Sequence, residues 1–495
     1  MHRNYIRAGI EKVQGIGIKA FSRDEMTLIH SSTMEVLKDI GIKVESQEAI
    51  EIFHSSGAKI EGAGESAIVK IPPYIVEDCI RWAPSNIVLY GRDPKDDYVI
   101  GPGRVGFTLF GENIKVNDLY TRENRECNKN DLGSATKVAD ALEEIGIVEK
   151  CMGSRDKNPA TQSLHNYEAM VTNTSKHISH GFFSANNSRK IVEMAAACVG
   201  GMETFKKRPC VTCVVCPTSP LMLVKDCCET IIESSRLGVG LCSISMPLSG
   251  ATSTCTLAGT LVIQNAELLA SLALSQLTSR GTPFIYGSCA TIMDLKVVNP
   301  ALGAPEHGML SIGTAKMAQF YNIPSWCGSG TSNSKLPDEQ SASEFAMNTT
   351  LTALAGANII FGCGSIESGL TFDFAKLVMD TEHVKRLQMA VKGIDVNDED
   401  IAVEVIKEVG PGGEFLTHPH TMKEMRKMSE PGLFDRAERE AWMEQKGGRS
   451  LAERAYEKAR NIYEKHEPVA LPKGASKIMK SIIEEYEKEI NASGQ

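Results

Sequence analysis

The sequence lacks the features that would place a protein in a membrane, in a secretory pathway or on nucleic acid. The residues after Met1 are polar and interrupted by glycines, unlike a signal peptide. The most apolar run, 254–275, carries Gln264, Asn265 and Glu267, which disfavours a membrane span and favours a buried helix. A net charge of −9 disfavours a nucleic-acid partner. We therefore expect a cytoplasmic protein with neither a membrane nor a nucleic acid as its partner.

Familiar catalytic motifs are missing as well. The sequence has no HExxH pair, no Walker loop and no recognisable catalytic triad. Gly101-Pro-Gly103 is not followed by Lys and Ser or Thr, and it lacks the spacing of a dinucleotide-binding loop. We therefore interpret it as a turn, and we assign no catalytic residue.

Cysteine, by contrast, is abundant. Fourteen cysteines without a signal peptide predict free thiols in a reducing compartment rather than a disulfide framework. Cys210, Cys213 and Cys216 resemble part of a metal site, but strand alternation would place Cys213 on the opposite face from the other two. The run also lacks a fourth ligand. We expect no metal there and interpret these cysteines as small buried apolar residues.

The segment from Arg208 to Val384 alternates between strand-like apolar runs and amphipathic helical runs. The predicted strands are 210–216, 241–246, 284–286, 325–327 and 359–361, and a turn of small or polar residues follows each one. Continuous apolar strands joined by helices predict a parallel sheet that is buried on both faces. The sequence therefore predicts an α/β fold, a closed (β/α)8 TIM barrel whose active site lies at those turns.

The chain of 495 residues is about twice as long as a TIM barrel requires. We assign 126–393 to the barrel, 1–125 to an N-terminal extension of helices and small sheets, and 394–495 to a C-terminal helical extension. Ser22 and Glu25 predict the capping box of a first helix, and 98–121 predicts a hairpin or small sheet. Charged residues alternate along the C-terminal helices, which is typical of a solvated face or an oligomer contact. We expect a homo-oligomer.

Motifs spread over nearly the whole chain resemble the trimethylamine methyltransferase family in their order and spacing. They occupy 22–25, 29–30, 35–41, 71–72, 83–84, 91–94, 330–340, 353–358, 367–371 and 415–421. The resemblance implies a TIM barrel that moves a methyl group from an amine to the cobalt of cobalamin, a corrinoid carried by a separate small protein.

One departure from the family pattern affects the expected substrate. The founding members act on trimethylamine and contain pyrrolysine, whereas this sequence contains only the twenty standard residues. The resemblance therefore implies the branch without pyrrolysine, which includes demethylases of quaternary amines. A quaternary ammonium leaves as a neutral amine when its methyl is attacked, whereas a tertiary amine must first gain a proton or a fourth substituent. We expect glycine betaine, which would give dimethylglycine, with carnitine, γ-butyrobetaine and proline betaine as alternatives.

In the mechanism that the resemblance implies, cob(I)alamin attacks one N-methyl group in line. Such a displacement requires no protein nucleophile, so the protein supplies position and a dry site. Aromatic faces would hold the trimethylammonium group, at about 0.5–2 kcal/mol for each cation–π contact. Hydrogen-bond donors would hold a carboxylate. We expect the corrinoid protein to dock over the turns that follow Met246, Tyr286 and Cys327.

Five candidate substrate-binding residues lie at or after the ends of predicted strands. Tyr286 and Phe361 either line the cation pocket or pack in the core. Glu367 is the candidate carboxylate near the cation, with a helix cap or a surface role as the alternative. Asn333 and Lys335 lie near the position at which the resemblance places the pyrrolysine of the founding members.

His418 and His420 are the last two candidates for binding substrate. They flank Pro419 and could bind a substrate carboxylate, although structural roles or a metal remain alternatives.

Two other functional classes stay open. A TIM-barrel lyase would need a Schiff-base lysine or metal-binding carboxylates, and the strand ends offer little beyond Lys335 and Glu367. A non-catalytic betaine-binding protein could use the same aromatic pocket.

Overall fold

A parallel eight-stranded barrel forms the centre of the computed structural model, which describes residues 10–11, 18, 20–62 and 64–493. The strands are β1 Arg104–Leu109, β2 Val148–Glu149, β3 Ile178–Gly181, β4 Val211–Val215, β5 Gly240–Ser245, β6 Phe284–Ser288, β7 Ser325–Gly328 and β8 Ile359–Cys363. The helices that follow them are α1 Lys129–Ala141, α2 Gln162–Asn173, α3 Ala185–Cys198, α4 Lys225–Arg236, α5 Leu257–Thr278, α6 Pro305–Tyr321, α7 Glu339–Ala355 and α8 Phe374–Lys392. The predicted TIM barrel is confirmed.

The barrel closes where β1 meets its two neighbours. A parallel ladder joins β8 to β1, with Ile360 opposite Phe107 and one shift of register between Phe361 and Cys363. Between β1 and β2 isolated parallel bridges replace the ladder: Asn113 pairs with Met152 beyond the ends of the strands, and Phe107 pairs with Ile145. The hydroxyl of Thr108 supplements these bridges, donating to Ile147 O at 3.0 Å and accepting from the N–H of Glu149 at 3.0 Å.

The barrel starts earlier than the sequence predicted. The segment 98–121 was expected to form a hairpin or small sheet in the N-terminal extension, but its central part, Arg104–Leu109, is β1. On either side of β1, Tyr98–Ile100 pairs as a hairpin strand with Ile87–Leu89, and Lys115–Asn117 pairs with Asn124–Glu126. The first strand of the barrel therefore lies within the segment 1–125 that we assigned to the N-terminal extension.

The apolar helix α5 lies in the barrel wall. It is long and apolar enough to span a membrane by composition, but 72% of its most apolar window is buried inside the fold. Its polar residues meet polar groups on the outer face of the strands: the hydroxyl of Ser288 donates to Gln264 Oε1 at 2.6 Å, and that of Ser245 donates to Glu267 Oε2 at 2.5 Å. The prediction of a buried barrel helix is confirmed.

A hairpin of the N-terminal extension closes the end of the barrel at which the strands begin. The first helix of this extension, Arg23–Glu35, has the predicted capping box between Ser22 and Glu25. Side chains of the hairpin Ile87–Leu89 and Tyr98–Ile100 pack with inward-facing barrel residues in one apolar cluster. The other elements are helices Gln47–Ser55 and Pro73–Trp82, and a sheet formed by Ile42–Val44, Lys59–Gly62, Ala67–Lys70 and Met222–Leu223.

Small sheets decorate the opposite end of the barrel, where the strands end; we call this end the barrel mouth. One sheet contains Lys115–Asn117, Asn124–Glu126, Ser365–Ile366 and Thr371–Asp373, and the other contains Leu248–Ser249, Thr291–Asp294 and Asn299–Pro300. A short helix, Met202–Lys207, follows α3.

The C-terminal extension is helical, as predicted. Its helices are Asp398–Ile401, Val403–Val409, Pro419–Glu424, Arg439–Lys446, Leu451–Lys465 and Ala475–Ser493, with a 3-10 turn at Met425–Lys427. The hydroxyl of Tyr456, on the fifth of these helices, donates to Asp373 Oδ2 at 2.5 Å just before α8.

Candidate functional site

Inward-facing side chains at the barrel mouth form the candidate site. Alternation along each strand decides which residues face inward. Ile285 and Trp326 pack in the cluster inside the barrel, whereas Tyr286 and Cys327 belong to the layer between the strands and the helices. The interior near the mouth therefore receives side chains from several strands at once.

Glu149, at the end of β2, is the ionisable group at the centre of this site. It is 3% exposed, and its Oε2 accepts a hydrogen bond from the indole N–H of Trp326 at 3.2 Å. In the described part of the chain no hydrogen bond reaches Oε1. Desolvation raises the pKa of Glu149 to about 8; the Trp326 bond lowers the pKa, Glu112 raises it and Lys150 lowers it. Glu149 is therefore a buried carboxyl that can take a cation as its partner.

The indole that binds this carboxyl belongs to a cluster that also contains the rings of Phe361 and Phe110. Trp326 is fully buried, and Phe361, on β8, stacks on Phe110 with ring centroids 6.0 Å apart. Phe361 also passes close to Gly328, where a Cβ atom would lie 2.8 Å from its Cζ. The absence of a side chain at Gly328 therefore leaves room for the Phe361 ring. Aromatic faces beside a carboxylate are the surroundings that a methylated ammonium group prefers.

The site opens to solvent beside β4 and β5. Val214 and Met246 are half-buried, and Cys216 is exposed. Surrounding protein nevertheless raises the pKa of the Cys216 thiol to about 12, with further contributions from Glu112 and Glu149. Cys216 directly follows β4, so solvent reaches the barrel mouth beside the end of this strand, and we call this opening the recess.

A buried cation lies at the rim of this recess. Lys150 Nζ is 2.9 Å from Glu112 Oε1 and 5.3 Å from the centroid of the Phe183 ring. The Lys150 side chain is 4% exposed, whereas that of Glu112 is 66% exposed. The recess therefore carries a potential negative charge at Glu149 and a positive charge at Lys150.

The two aromatic candidates point in opposite directions. Phe361 faces the barrel interior. Tyr286 does not: its hydroxyl donates to Asn265 Oδ1 on α5 at 2.8 Å, and its ring is fully buried against the helices, which favours the core-packing alternative for this residue. The predicted strand was correct, but the direction of its side chains depends on which residue of β6 the barrel places inside.

Asn333, Lys335 and Glu367 lie at the mouth end but outside the barrel interior. Asn333 connects two loops, since its Oδ1 accepts from the N–H of Gly303 and its Nδ2 donates to Ser368 Oγ at 2.6 Å. Lys335 and Glu367 line a separate cleft of about 720 Å³. The structure therefore does not bring these three residues together with Glu149.

His418 and His420 lie in the C-terminal extension, away from the mouth. His418 caps the helix Pro419–Glu424: its Nδ1 accepts from the N–H of His420 at 3.1 Å, and its Nε2 is 3.2 Å from Glu408 Oε2. The neighbouring turn packs beside Met389 in the last part of α8, near the opposite end of the barrel. The structure therefore does not bring His418 and His420 together with Glu149, and the cap of His418 matches the structural alternative for that residue.

Potential metal ligands do not gather at the site. Within the described residues, no group of three or more His, Cys, Asp or Glu side chains could hold a metal ion. Cys213 packs toward the helices, whereas Cys216 faces the recess.

Sequence reasoning missed Glu149 and Trp326. Trp326 lies within a predicted strand next to Cys327. The alternation of side chains along a strand does not tell which of the two faces the barrel interior and which faces the helices. Glu149 lies on β2, which contains only two residues and left no strand pattern. No local signal identified Glu149 as a site residue.

Comparisons with known proteins agree with the resemblance in the sequence. The family model for trimethylamine methyltransferase (MTTB) matches residues 8–491. A trimethylamine methyltransferase MttB from Desulfitobacterium hafniense (strain DSM 10664 / DCB-2) is 45% identical over 487 residues, which cover 98% of each chain. A glycine betaine methyltransferase from Desulfitobacterium hafniense (strain Y51) is 28% identical over 472 residues, covering 95% of this chain and 97% of the relative.

One solved structure supports the fold. The monomethylamine methyltransferase MtmB of Methanosarcina barkeri superposes with a TM-score of 0.50 at 14% identity, covering 94% of this chain and 97% of that one.

Proposed function

Because the chain belongs to the trimethylamine methyltransferase family and is therefore a methyltransferase, we propose that it moves a methyl group from a quaternary amine to a corrinoid on a partner protein. Glycine betaine is the first candidate donor, and carnitine, γ-butyrobetaine and proline betaine are related candidates. Membership of this family removes the TIM-barrel lyase and the non-catalytic binding protein from consideration.

The observation that carries the proposal is the free carboxylate oxygen of Glu149 among aromatic rings. A quaternary ammonium has no N–H to donate, so it is held by charge and by aromatic faces rather than by hydrogen bonds. A buried carboxylate without a protein cation is costly, and a bound ammonium group removes that cost. Trp326 holds the carboxyl by its other oxygen. The site therefore matches a methylated ammonium group in both charge and surface.

The residues of the chain would act by position and by exclusion of water. A bound corrinoid supplies the cobalt nucleophile that accepts the methyl group. The amine then leaves uncharged, so no side chain has to donate a proton. Phe361 and Phe110 would fix the methyl groups relative to the mouth, and the closed lower end of the barrel keeps solvent from entering behind the substrate.

The corrinoid protein would dock over the barrel mouth. A corrinoid is too large to enter the packed interior, and the loop after β6 presents Leu295, Val297 and Val298 to solvent, at 65%, 69% and 75% exposure. Apolar side chains exposed together on a rim are typical of an interaction surface. The turns that follow Met246 and Cys327 would complete this rim.

Trimethylamine is a second candidate donor, favoured by the relative of that name at 45% identity. A tertiary amine leaves only after protonation. Protonated trimethylamine could donate its N–H to Glu149 Oε1, so the same carboxyl suits both donors. The two candidates differ in whether the substrate carries a carboxylate.

A spectral assay separates these candidates. The purified protein is mixed with cob(I)alamin and, in turn, with each betaine and with trimethylamine, and conversion to methylcobalamin is followed by absorbance. We expect transfer from glycine betaine or a related betaine, and loss of that transfer in Glu149→Gln. Transfer from trimethylamine alone would favour the second candidate, and the absence of transfer from every methylated amine would contradict the proposal.

A further inference from the structure

The ion pair between Lys150 and Glu112 at the rim of the recess is asymmetric. Lys150 is 4% exposed and Glu112 is 66% exposed, although their charged atoms are 2.9 Å apart. A buried lysine needs an anion close by, because its desolvation is expensive. Glu112 keeps most of its hydration, so it loses little when it moves away. Lys150 therefore holds a counter-ion that another anion could replace.

Lys150 lies next to the cation site in sequence and in space. Glu149 ends β2 and Lys150 follows it directly. A Cβ atom at Gly111, the neighbour of Glu112 in the chain, would lie 3.1 Å from Glu149 Oε1, so the segment that pairs with Lys150 also borders the carboxyl of Glu149. Glu112, which pairs with Lys150, also acts on the carboxyl of Glu149. A small molecule in the recess would thus meet a carboxyl group and an ammonium group within the same opening.

We infer that Lys150 binds the carboxylate of a zwitterionic methyl donor and determines the choice of betaines over amines that lack a carboxylate. This inference rests on the proposed function. The ammonium end of the donor would pair with Glu149, and the carboxylate would displace Glu112 from Lys150. Opposite charges on consecutive residues then match opposite charges on one substrate.

Lys150 is a positioning residue in this inference rather than a catalytic one. If the ion pair were purely structural, its loss would change the affinity for every ligand to the same extent. A role in substrate recognition instead depends on whether the ligand carries a carboxylate. Pairs of ligands with the same trimethylammonium head therefore distinguish the two roles.

The test measures binding to the protein alone, by calorimetry, so that it does not depend on methyl transfer. The ligands are glycine betaine, which carries a carboxylate, and choline and tetramethylammonium, which do not. The variants are Lys150→Met, Lys150→Arg and Glu112→Gln. Lys157→Met is the matched control, because Lys157 pairs with Asp156 on the following loop and both side chains are more than a third exposed.

We expect Lys150→Met to weaken glycine betaine binding by roughly tenfold to a hundredfold, as for a lost charge-assisted hydrogen bond. Choline and tetramethylammonium should bind as they do to the parent protein. Lys150→Arg should retain most of the affinity for glycine betaine. Glu112→Gln should tighten glycine betaine binding alone, since the competing anion is gone, and Lys157→Met should change nothing.

Two results would overturn the inference. One is an equal change for glycine betaine and choline in Lys150→Met, which would indicate a structural role. The other is unchanged glycine betaine binding in both Lys150→Met and Glu112→Gln. Failure of the proposed function is a separate result, namely that the parent protein transfers methyl groups from none of the amines while the binding measurements still decide the role of Lys150.

Discussion

At the scale of single residues, the carboxyl of Glu149 couples ligand binding to pH. Its pKa is raised from 4.5 to about 8, chiefly by desolvation. Glu112 and Lys150 act on it with opposite signs, and surrounding protein raises the pKa values of the Cys216 and Cys289 thiols. At neutral pH the empty site therefore holds a proton that a bound cation would displace.

This raised pKa predicts how stability depends on pH. A carboxyl whose pKa is higher in the folded state contributes stability that is complete below the unfolded pKa and is lost as pH rises through the folded value. The free energy of unfolding of the parent protein should therefore fall, relative to that of Glu149→Gln, between about pH 5 and about pH 8 and level off above that range. Urea titrations at several pH values measure the difference; a constant difference would contradict the raised pKa.

The same variant tests the cation site. Binding of tetramethylammonium to the parent protein should tighten as pH rises toward 8, because the carboxyl ionises. Glu149→Gln keeps an acceptor for the Trp326 indole but has no charge, so its binding should be weaker and independent of pH over this range. Calorimetry in parallel buffers makes the comparison, and an identical pH profile for both proteins would place the cation elsewhere.

Phe361 and Tyr286 provide a matched pair of aromatic substitutions. Phe361→Leu should raise the KM for the amine by the equivalent of about 0.5–2 kcal/mol with a smaller change in kcat, because cation–π contacts favour the charged ground state. Tyr286→Phe should leave KM unchanged and lower the free energy of unfolding by about 0.5–1.5 kcal/mol, since Asn265 loses its donor. Steady-state kinetics and urea titration check both. A higher KM in Tyr286→Phe alone would reverse the assignment.

At the scale of elements, α8 fixes the strand that carries Phe361. Lys376 and Asp380, one turn apart on α8, form an ion pair that is almost fully buried. Asp380 Oδ2 also accepts from the N–H of Gly364 at 2.8 Å, directly after β8. Desolvation raises the pKa of Asp380 to about 6. The helix thus holds the end of β8 through one buried carboxylate.

Replacement of Lys376 should show how much the stability of the protein depends on the ion pair with Asp380. Lys376→Met leaves Asp380 without its cation, and breaking a buried pair on one side costs about 3–5 kcal/mol. We expect urea titrations to show that loss, and the double variant Lys376→Met with Asp380→Asn to recover part of it. Equal stability of the two variants would mean that Asp380 is satisfied without Lys376.

At the scale of the whole molecule, the C-terminal extension exposes many apolar side chains. The helices Asp398–Ile401, Val403–Val409, Pro419–Glu424 and Arg439–Lys446 contain no buried residue. Apolar side chains that are more than half exposed in this segment are Ile394, Val396, Ile406, Leu416, Met422, Met425 and Met428. Such a surface is typical of a protein interface.

We therefore expect this segment to mediate self-association. Ile406→Glu combined with Met422→Glu should shift the protein toward monomers in sedimentation velocity experiments, without changing amine binding at the distant mouth. Substitution of Leu295 by Glu, on the mouth rim, serves as the control and should leave the assembly intact. A parent protein that sediments as a monomer at micromolar concentration would contradict the expectation of a homo-oligomer.

The sequence by itself determined the family, the barrel and the last five of its eight strands. Strands β4 to β8 were visible because a parallel sheet buried on both faces requires continuous apolar runs, and the order of the family's motifs extended that interpretation over the whole chain. The capping box of Ser22 and Glu25 was visible because it depends on residues three apart. Patterns that depend on near neighbours in the chain can be found without coordinates.

Only the tertiary structure decided which side chains face the substrate. Closure of the barrel turned Phe361 inward and Tyr286 outward, a choice between two faces that alternation leaves open. It also brought Glu149 to Trp326, 177 positions away in the chain. The raised pKa of Glu149 comes from desolvation by residues of distant strands, so no local pattern encodes it. Burial and charge at the site are properties of the assembled barrel.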